Sequence, residues 1–461
     1  MAPYVATGSV AALDHFETVT IGETKVIMRQ SEEYGDQASV FAIMLAGHGQ
    51  QKPDEAHCAH VAEHTVFRNL VKHPDALIDW VLKVDSSGTS PWILCNGWTG
   101  VDHTQFNLTV PGECLPEALE RLINGMFPEA VDRKVYDTDM DSRLKSELNY
   151  MTTHQVSAPL NAFHAHFFQG TPYCQQVFSV PVTQVTPDQV LSFMRREYSS
   201  SRLVLVLVGN FDKQVTLETL RQLINDIPSE PRPITPDVKL NLPSLSTVIL
   251  PVQYPLLMLG FGCDSVTKED APLLLAAMHI AVARLASQPP QGFQTSDFMN
   301  ALLNAAHVEG CFVTYAANPR MELSQSQLEE QARLISQAAK EAFLNLTVTE
   351  ASEEELSLPP LSVAMPVPEM PQTLTDALER GLPETPGAAD IRMTGMESDE
   401  LASAVRDIAA KYQGNLQYTV LIVKPKNVAG LIIALGVGLA ILAIVILTLL
   451  SYRKARIRDL P

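Results

Sequence analysis

Positive charge is scarce in this chain. Against 52 Asp and Glu there are 33 Lys and Arg, a formal net charge of −19 over 461 residues. Nucleic acid is therefore excluded as a partner, because phosphate contacts need clustered cations. The six cysteines (58, 95, 114, 174, 263 and 311) include no CxxC pair. That rules against a zinc ribbon and a dense disulfide framework, and leaves the redox compartment open. The N-terminal "MAPYVATGSVAALDHF" has neither a basic n-region nor an apolar h-region. What the chain has is a hydrophobic share of 46% with only 18% charged residues, ample for buried cores and contrary to wholesale disorder. Its length predicts two domains or more.

One long apolar run is present, Val428 to Leu450, without a charged or strongly polar residue. As a helix it would extend about 35 Å, against roughly 30 Å of hydrocarbon, so a transmembrane helix is expected over 428–450. The basic tail 451–461 carries Arg453, Lys454, Arg456 and Arg458, against Lys424 and Lys426 before the run. This bias predicts a single-pass protein with a cytoplasmic tail and an extracytoplasmic body. That topology needs an upstream signal, so either the natural start precedes Met1 or the protein is tail-anchored against the charge rule; the first is preferred.

The rest reads as α+β. "FETVTIGETKVIMRQ" and "ASVFAIMLAG" read as strands, and "CNGWTGVDHTQFNLTVP" as another, alternating at Phe106, Leu108 and Val110. "CLPEALERLINGMF" and residues 132–154 read as helices. A helix–Tyr–strand unit at 185–209 recurs at 396–425, with Asp188 and Asp399 as counterparts 211 residues apart. Between them "IPSEPRPITPD" holds four prolines. The repeat predicts two homologous domains, 16–226 and 238–425, joined by a linker at 227–237. A second Pro-rich stretch, 356–372, reads as an exposed excursion.

Three of the 12 histidines stand in "HCAHVAEH", residues 57–64. Ala59, Ala62, Val66 and Leu70 follow helical spacing, so His60 and His64 project from one helix face and can bind one ion. Glu63 neighbours both and could reach a metal-bound water. This is H-x-x-E-H, the inverted zincin order. The alternative is a polar helix face that binds nothing. In the helix 132–154, Glu147 falls on the apolar stripe of Met140, Leu144 and Met151, where a carboxylate needs a cation or metal. It is the best third ligand; pairing with Arg143 is the alternative. His57 reads as a surface residue and Cys58 as a buried filler.

"HCAHVAEHTVF" resembles the signature of the insulinase/pitrilysin family of zinc metallopeptidases. "SELNYM", "CNGWTGVDHTQF" and "VTPDQVLSFMRREYSSSRLVLVLVG" are similar to later family segments, and the resemblance runs over roughly 16–425. It implies zinc ligands His60, His64 and Glu147, a general base Glu63, and a substrate-backbone or transition-state contact at Asn96. It also implies one Zn2+ per chain, two α/β domains each with a mainly antiparallel sheet, and a homodimer or a heterodimer with a paralogue around a peptide or unfolded substrate. The sequence departs from the family in three ways. The 83 positions from His64 to Glu147 imply an insertion. Met140 stands where members carry a second glutamate. "NALLNAAHVEGCFVTY" offers no substrate-gripping arginine, and Tyr315 falls on the following strand. The leading expectation is a membrane-anchored zinc endopeptidase. The other is a non-catalytic member that binds substrate or assembles with an active paralogue.

Overall fold

The computed structural model describes residues 17–32, 35–70, 73–84, 95–174, 184–229, 238–267, 269–296, 301–302, 308–348, 351–352 and 398–426. The Pro-rich stretch 356–372, the apolar run 428–450, the tail 451–461 and most of the 227–237 linker lie outside them. Among the described residues no helix is long and apolar enough to cross a membrane.

Strands β1 (Glu17–Ile21), β2 (Thr24–Gln30) and β3 (Gln37–Met44) lead to helices α1 (Cys58–Arg68) and α2 (Leu77–Val84). Strands β4 (Cys95–Thr99) and β5 (Thr104–Pro111) are followed by α3 (Leu115–Met126) and α4 (Arg133–Asp139). A π-helical segment (Met140–Leu144) joins α4 to α5 (Lys145–Thr153); α6 (Ser157–Phe167), α7 (Pro187–Glu197), β6 (Leu203–Gly209) and α8 (Lys213–Asn225) complete the first half. The second half holds β7 (Leu245–Leu250), β8 (Leu256–Cys263), α9 (Ala271–Ala286), β9 (Phe293–Thr295), β10 (Ala301–Leu302), β11 (Glu309–Ala317), α10 (Gln325–Leu346), α11 (Ser398–Tyr412) and β12 (Gln417–Pro425).

The first sheet runs β1-β2-β6-β3-β5-β4 and the second β10-β11-β8-β12-β7, with β9 also on β11. Each sheet has one parallel pair, β2 with β6 and β12 with β7. The other pairs described are antiparallel. In both halves the last long strand enters the sheet interior directly after a helix with an acidic first turn, Asp188 in α7 and Asp399 in α11, where a carboxylate meets the positive end of the helix dipole. Helix α7 starts at Thr186, whose side chain accepts from the Gln189 backbone in a capping box, with Pro187 at the first position.

Each sheet buries one face under helices. In the first, Val26, Met28, Val40 and Ala42 pack with Ala62 and Val66 of α1, Leu122 of α3 and Phe193 of α7. In the second, Leu257, Leu259 and Val313 pack with Leu274 and Met278 of α9 and Val405 of α11. A third cluster joins the halves: Phe163 and Phe167 of α6 lie against Met258, Phe312 and Leu421. Gly260 admits Phe163 there, since a Cβ on it would stand 2.5 Å from the ring. His166 on the same helix lies 2.6 Å from Thr419 Oγ1 of β12.

Two sequence expectations are corrected. "CNGWTGVDHTQFNLTVP" is not one strand but the hairpin β4–β5, turned by the Gly100 amide donating to the His103 carbonyl at 2.8 Å. Residues 132–154 do not form one regular helix, because the π segment interrupts it.

Candidate active site

Helix α1 is buried along most of its length, between the first sheet and α7. The chain enters it through His57, which caps the helix in the left-handed conformation at φ 70° without a side-chain capping bond. His57 is buried, not the surface residue its position suggested. A clamp holds this entry. Arg196 of α7 donates to both Glu55 oxygens at 2.6 Å, and the Cys58 amide donates to the Glu55 carbonyl at 2.9 Å. Cys58 itself is buried, which pushes its thiol up to about 12 and leaves it inert.

Spacings of three and four then put His60, Glu63 and His64 on one face. One ligand-type atom from each lies within 4.8 Å of the others. Glu147, in the first turn of α5, reaches across to both rings. Its Oε1 is 3.5 Å from His60 Nε2 and its Oε2 is 3.3 Å from His64 Nε2. Its side chain is 42% exposed, so it stands at the solvent side of the two rings and does not face the core as the apolar stripe suggested. Arg143, its alternative partner, points to Asp139 instead, at 3.9 Å. Burial works against ionisation of Glu147, but the hydrogen bonds from His60 and His64 hold its carboxyl well below the usual range. Burial likewise opposes charge on His64, yet the carboxylates of Asp139 and Glu147 raise this imidazole to about 10. Two Nε2 atoms and a carboxylate converging at an accessible edge are a donor set that suits a zinc ion with three protein ligands.

Glu63 is held from strand β4. The Thr99 hydroxyl donates to Glu63 Oε2 at 2.6 Å, and a Cβ on Gly97 would stand 2.7 Å from Glu63 Oε1. Side chains alternate along a strand, so Asn96 lies on the face of β4 opposite to Gly97 and Thr99, where its Oδ1 accepts from the Gly97 amide at 2.9 Å. The structure thus gathers His60, Glu63, His64 and Glu147 and keeps Asn96 off the Glu63 side. Thr99, Gly97 and Asp139, which touch these residues, carry no signal in the one-dimensional pattern beyond Thr99's place in the alternation. In the second half, Tyr315 is buried in β11 and donates to the Leu285 carbonyl at 3.1 Å. It is a core residue.

Comparison with known proteins agrees with this architecture. Residues 184–356 match the family described as the Peptidase M16 inactive domain; that stretch starts after Glu147 and contains none of the four gathered residues. The chain is similar to the mitochondrial-processing peptidase subunit beta of Dictyostelium discoideum, 21% identical over 41% of this chain and 40% of that protein. It is also similar to cytochrome b-c1 complex subunit 1, mitochondrial, of Bos taurus, 24% identical over 34% of this chain and 32% of that one. These matches span well under two thirds of either relative. A protease from Helicobacter pylori has the same fold, with a TM-score of 0.64 at 15% identity, covering 89% of this chain and 99% of that structure. Its paired sheets and these likenesses give the chain the fold of the M16-like peptidases, and residues 184–356 resemble that family's inactive domain.

Proposed function

We propose that this protein is a zinc metalloendopeptidase that cleaves peptides or unfolded segments, with His60, His64 and Glu147 as ligands and Glu63 as general base. The observation that carries the reading is the convergence of both imidazole Nε2 atoms on the two oxygens of Glu147, beside a Glu63 fixed by Thr99. Zinc held there would supply Lewis-acid activation of water and of the scissile carbonyl. The chain's own residues do the rest. Glu63 accepts a proton from the attacking water and returns it to the leaving amine. Thr99 holds one carboxylate oxygen, so the other is presented in a fixed direction. Strand β4 ends the described sheet, and an extended peptide that adds to its outer edge runs past Glu63.

The test is zinc analysis with Glu63→Gln. About one zinc per chain, retained in Glu63→Gln while peptide cleavage is lost, is the expected result; unchanged turnover removes Glu63 from the mechanism.

A second reading, a non-catalytic subunit that binds substrate or a paralogue, is favoured by the match to an inactive domain and by the burial of Tyr315. A metal-free chain that still binds peptides would decide for it. We further propose that the active assembly is a homodimer or a heterodimer with a paralogue. Residues 428–450 would anchor it in a membrane, with the body outside the cytoplasm. Digestion of the body by protease added to intact cells tests that orientation, and protection until permeabilisation refutes it.

A further inference from the structure

The two carboxylates that flank His64 come from one stretch of chain, at positions 139 and 147. In an uninterrupted α-helix a separation of eight residues turns through about 80° beyond two full turns, and the residue that shares a face with Glu147 would be number 140. The π segment Met140–Leu144 changes that count. One α turn of about 3.6 residues and one π turn of about 4.4 together take eight residues, which returns Asp139 to the face of Glu147.

The consequence is visible at the ring. Asp139 Oδ2 accepts from His64 Nδ1 at 2.9 Å, while Glu147 Oε2 sits 3.3 Å from Nε2 on its other side. The remaining Asp139 oxygen is directed to two arginines, Arg68 Nε at 3.8 Å and Arg143 Nη1 at 3.9 Å. Asp139 is only 8% exposed, so its carboxylate is held between the His64 ring and the two guanidinium groups with little access to water.

We infer that Asp139 is a positioning residue for the metal site, brought into register by the π segment, which fixes His64 as the Nδ1–H tautomer and aims its Nε2 lone pair at the ion. Carboxylate–histidine–metal arrangements of this kind change metal affinity without touching the metal. The inference rests on the zinc reading above.

The test compares wild type, Asp139→Ala and Asp139→Asn, each checked for fold by circular dichroism. Zinc affinity is measured by competition with a chromophoric chelator, and the His64 Nδ1–H proton is followed by NMR in the metal-free chain. Asp139→Ala should bind zinc about 10- to 100-fold more weakly and lose the Nδ1–H signal. Asp139→Asn, whose amide oxygen still accepts from Nδ1, should lose less. Deleting Ser142 leaves Asp139 seven positions before Glu147, the spacing that shares a face in an uninterrupted α-helix, so the deletion should keep zinc affinity close to wild type, while Asp139→Ala in the deletion background should weaken it as in the full chain. Affinity in folded Asp139→Ala within twofold of wild type overturns the inference, as does a folded Ser142 deletion that binds zinc as weakly as Asp139→Ala does. If wild type itself binds no zinc, the zinc reading has failed. The NMR comparison then decides the Asp139 contact alone: a signal lost in Asp139→Ala upholds it, and one unchanged overturns it.

Discussion

The hydroxyl of Thr99 donates to Glu63 Oε2 at 2.6 Å, the contact by which strand β4 sets the direction of a carboxylate on helix α1. Both residues are buried, at 8% and 7% exposure, so water cannot replace the bond cheaply. A hydrogen bond to a charged group contributes about 1.5–3 kcal/mol. Thr99→Val keeps the shape and removes the donor. We expect kcat for peptide cleavage to fall roughly 10- to 100-fold, with zinc content and KM little changed. Steady-state kinetics on the zinc-loaded protein check this, and an unaltered kcat would mean that Thr99 does not orient Glu63.

Gly97, two residues earlier, contributes by having no side chain. A Cβ there would lie 2.7 Å from both Glu63 Oε1 and the Phe67 ring, and it has no room to move because Phe67 packs on Phe106. Gly97→Ala should displace Glu63 and cost about 1–3 kcal/mol of stability, the usual penalty of overpacking. Urea unfolding reads the stability, and a cleavage assay reads the displacement. A variant as stable and as active as wild type would show that the strand yields.

The parts of this site written along one element are legible in the sequence, and those made between elements are not. His60, Glu63 and His64 follow from helical spacing alone. Glu147 was also reached, but by an argument the structure changes: its side chain is 42% exposed and meets the histidines from the solvent side. Asp139 could not be found by counting. The count assumes a uniform helix, and the π segment at Met140–Leu144 alters the number of residues per turn. The β4–β5 hairpin was missed for a similar reason. Its turn is closed by a backbone bond from Gly100 to His103, and the only turn residues it leaves in the sequence are Gly100 and Asp102. The paired-sheet architecture was legible because the repeated helix–strand unit at 185–209 and 396–425 supplies the interior strands β6 and β12 of the two sheets.

The seam between the halves gives the last prediction, a pH dependence. His166 Nε2 lies 2.6 Å from Thr419 Oγ1, and that hydroxyl donates onward to the Pro243 carbonyl. Thr419 must therefore accept from Nε2–H, and the neutral Nε2–H tautomer meets this bond without bringing a charge into the seam. Burial lowers the His166 pKa to about 4, against 6.5 for the free group. Between these values the unfolded chain binds a proton that the folded chain does not, so stability rises with pH. The contribution is fully present above about 6.5 and is lost as pH falls toward about 4. From pH 7 to pH 5 this one residue should account for a loss of about 2 kcal/mol. Urea unfolding of wild type and His166→Gln at both pH values measures it. The glutamine can still donate to Thr419 but does not titrate, so its acid loss should be smaller by about that amount. Equal losses in the two proteins would assign the acid sensitivity to other groups.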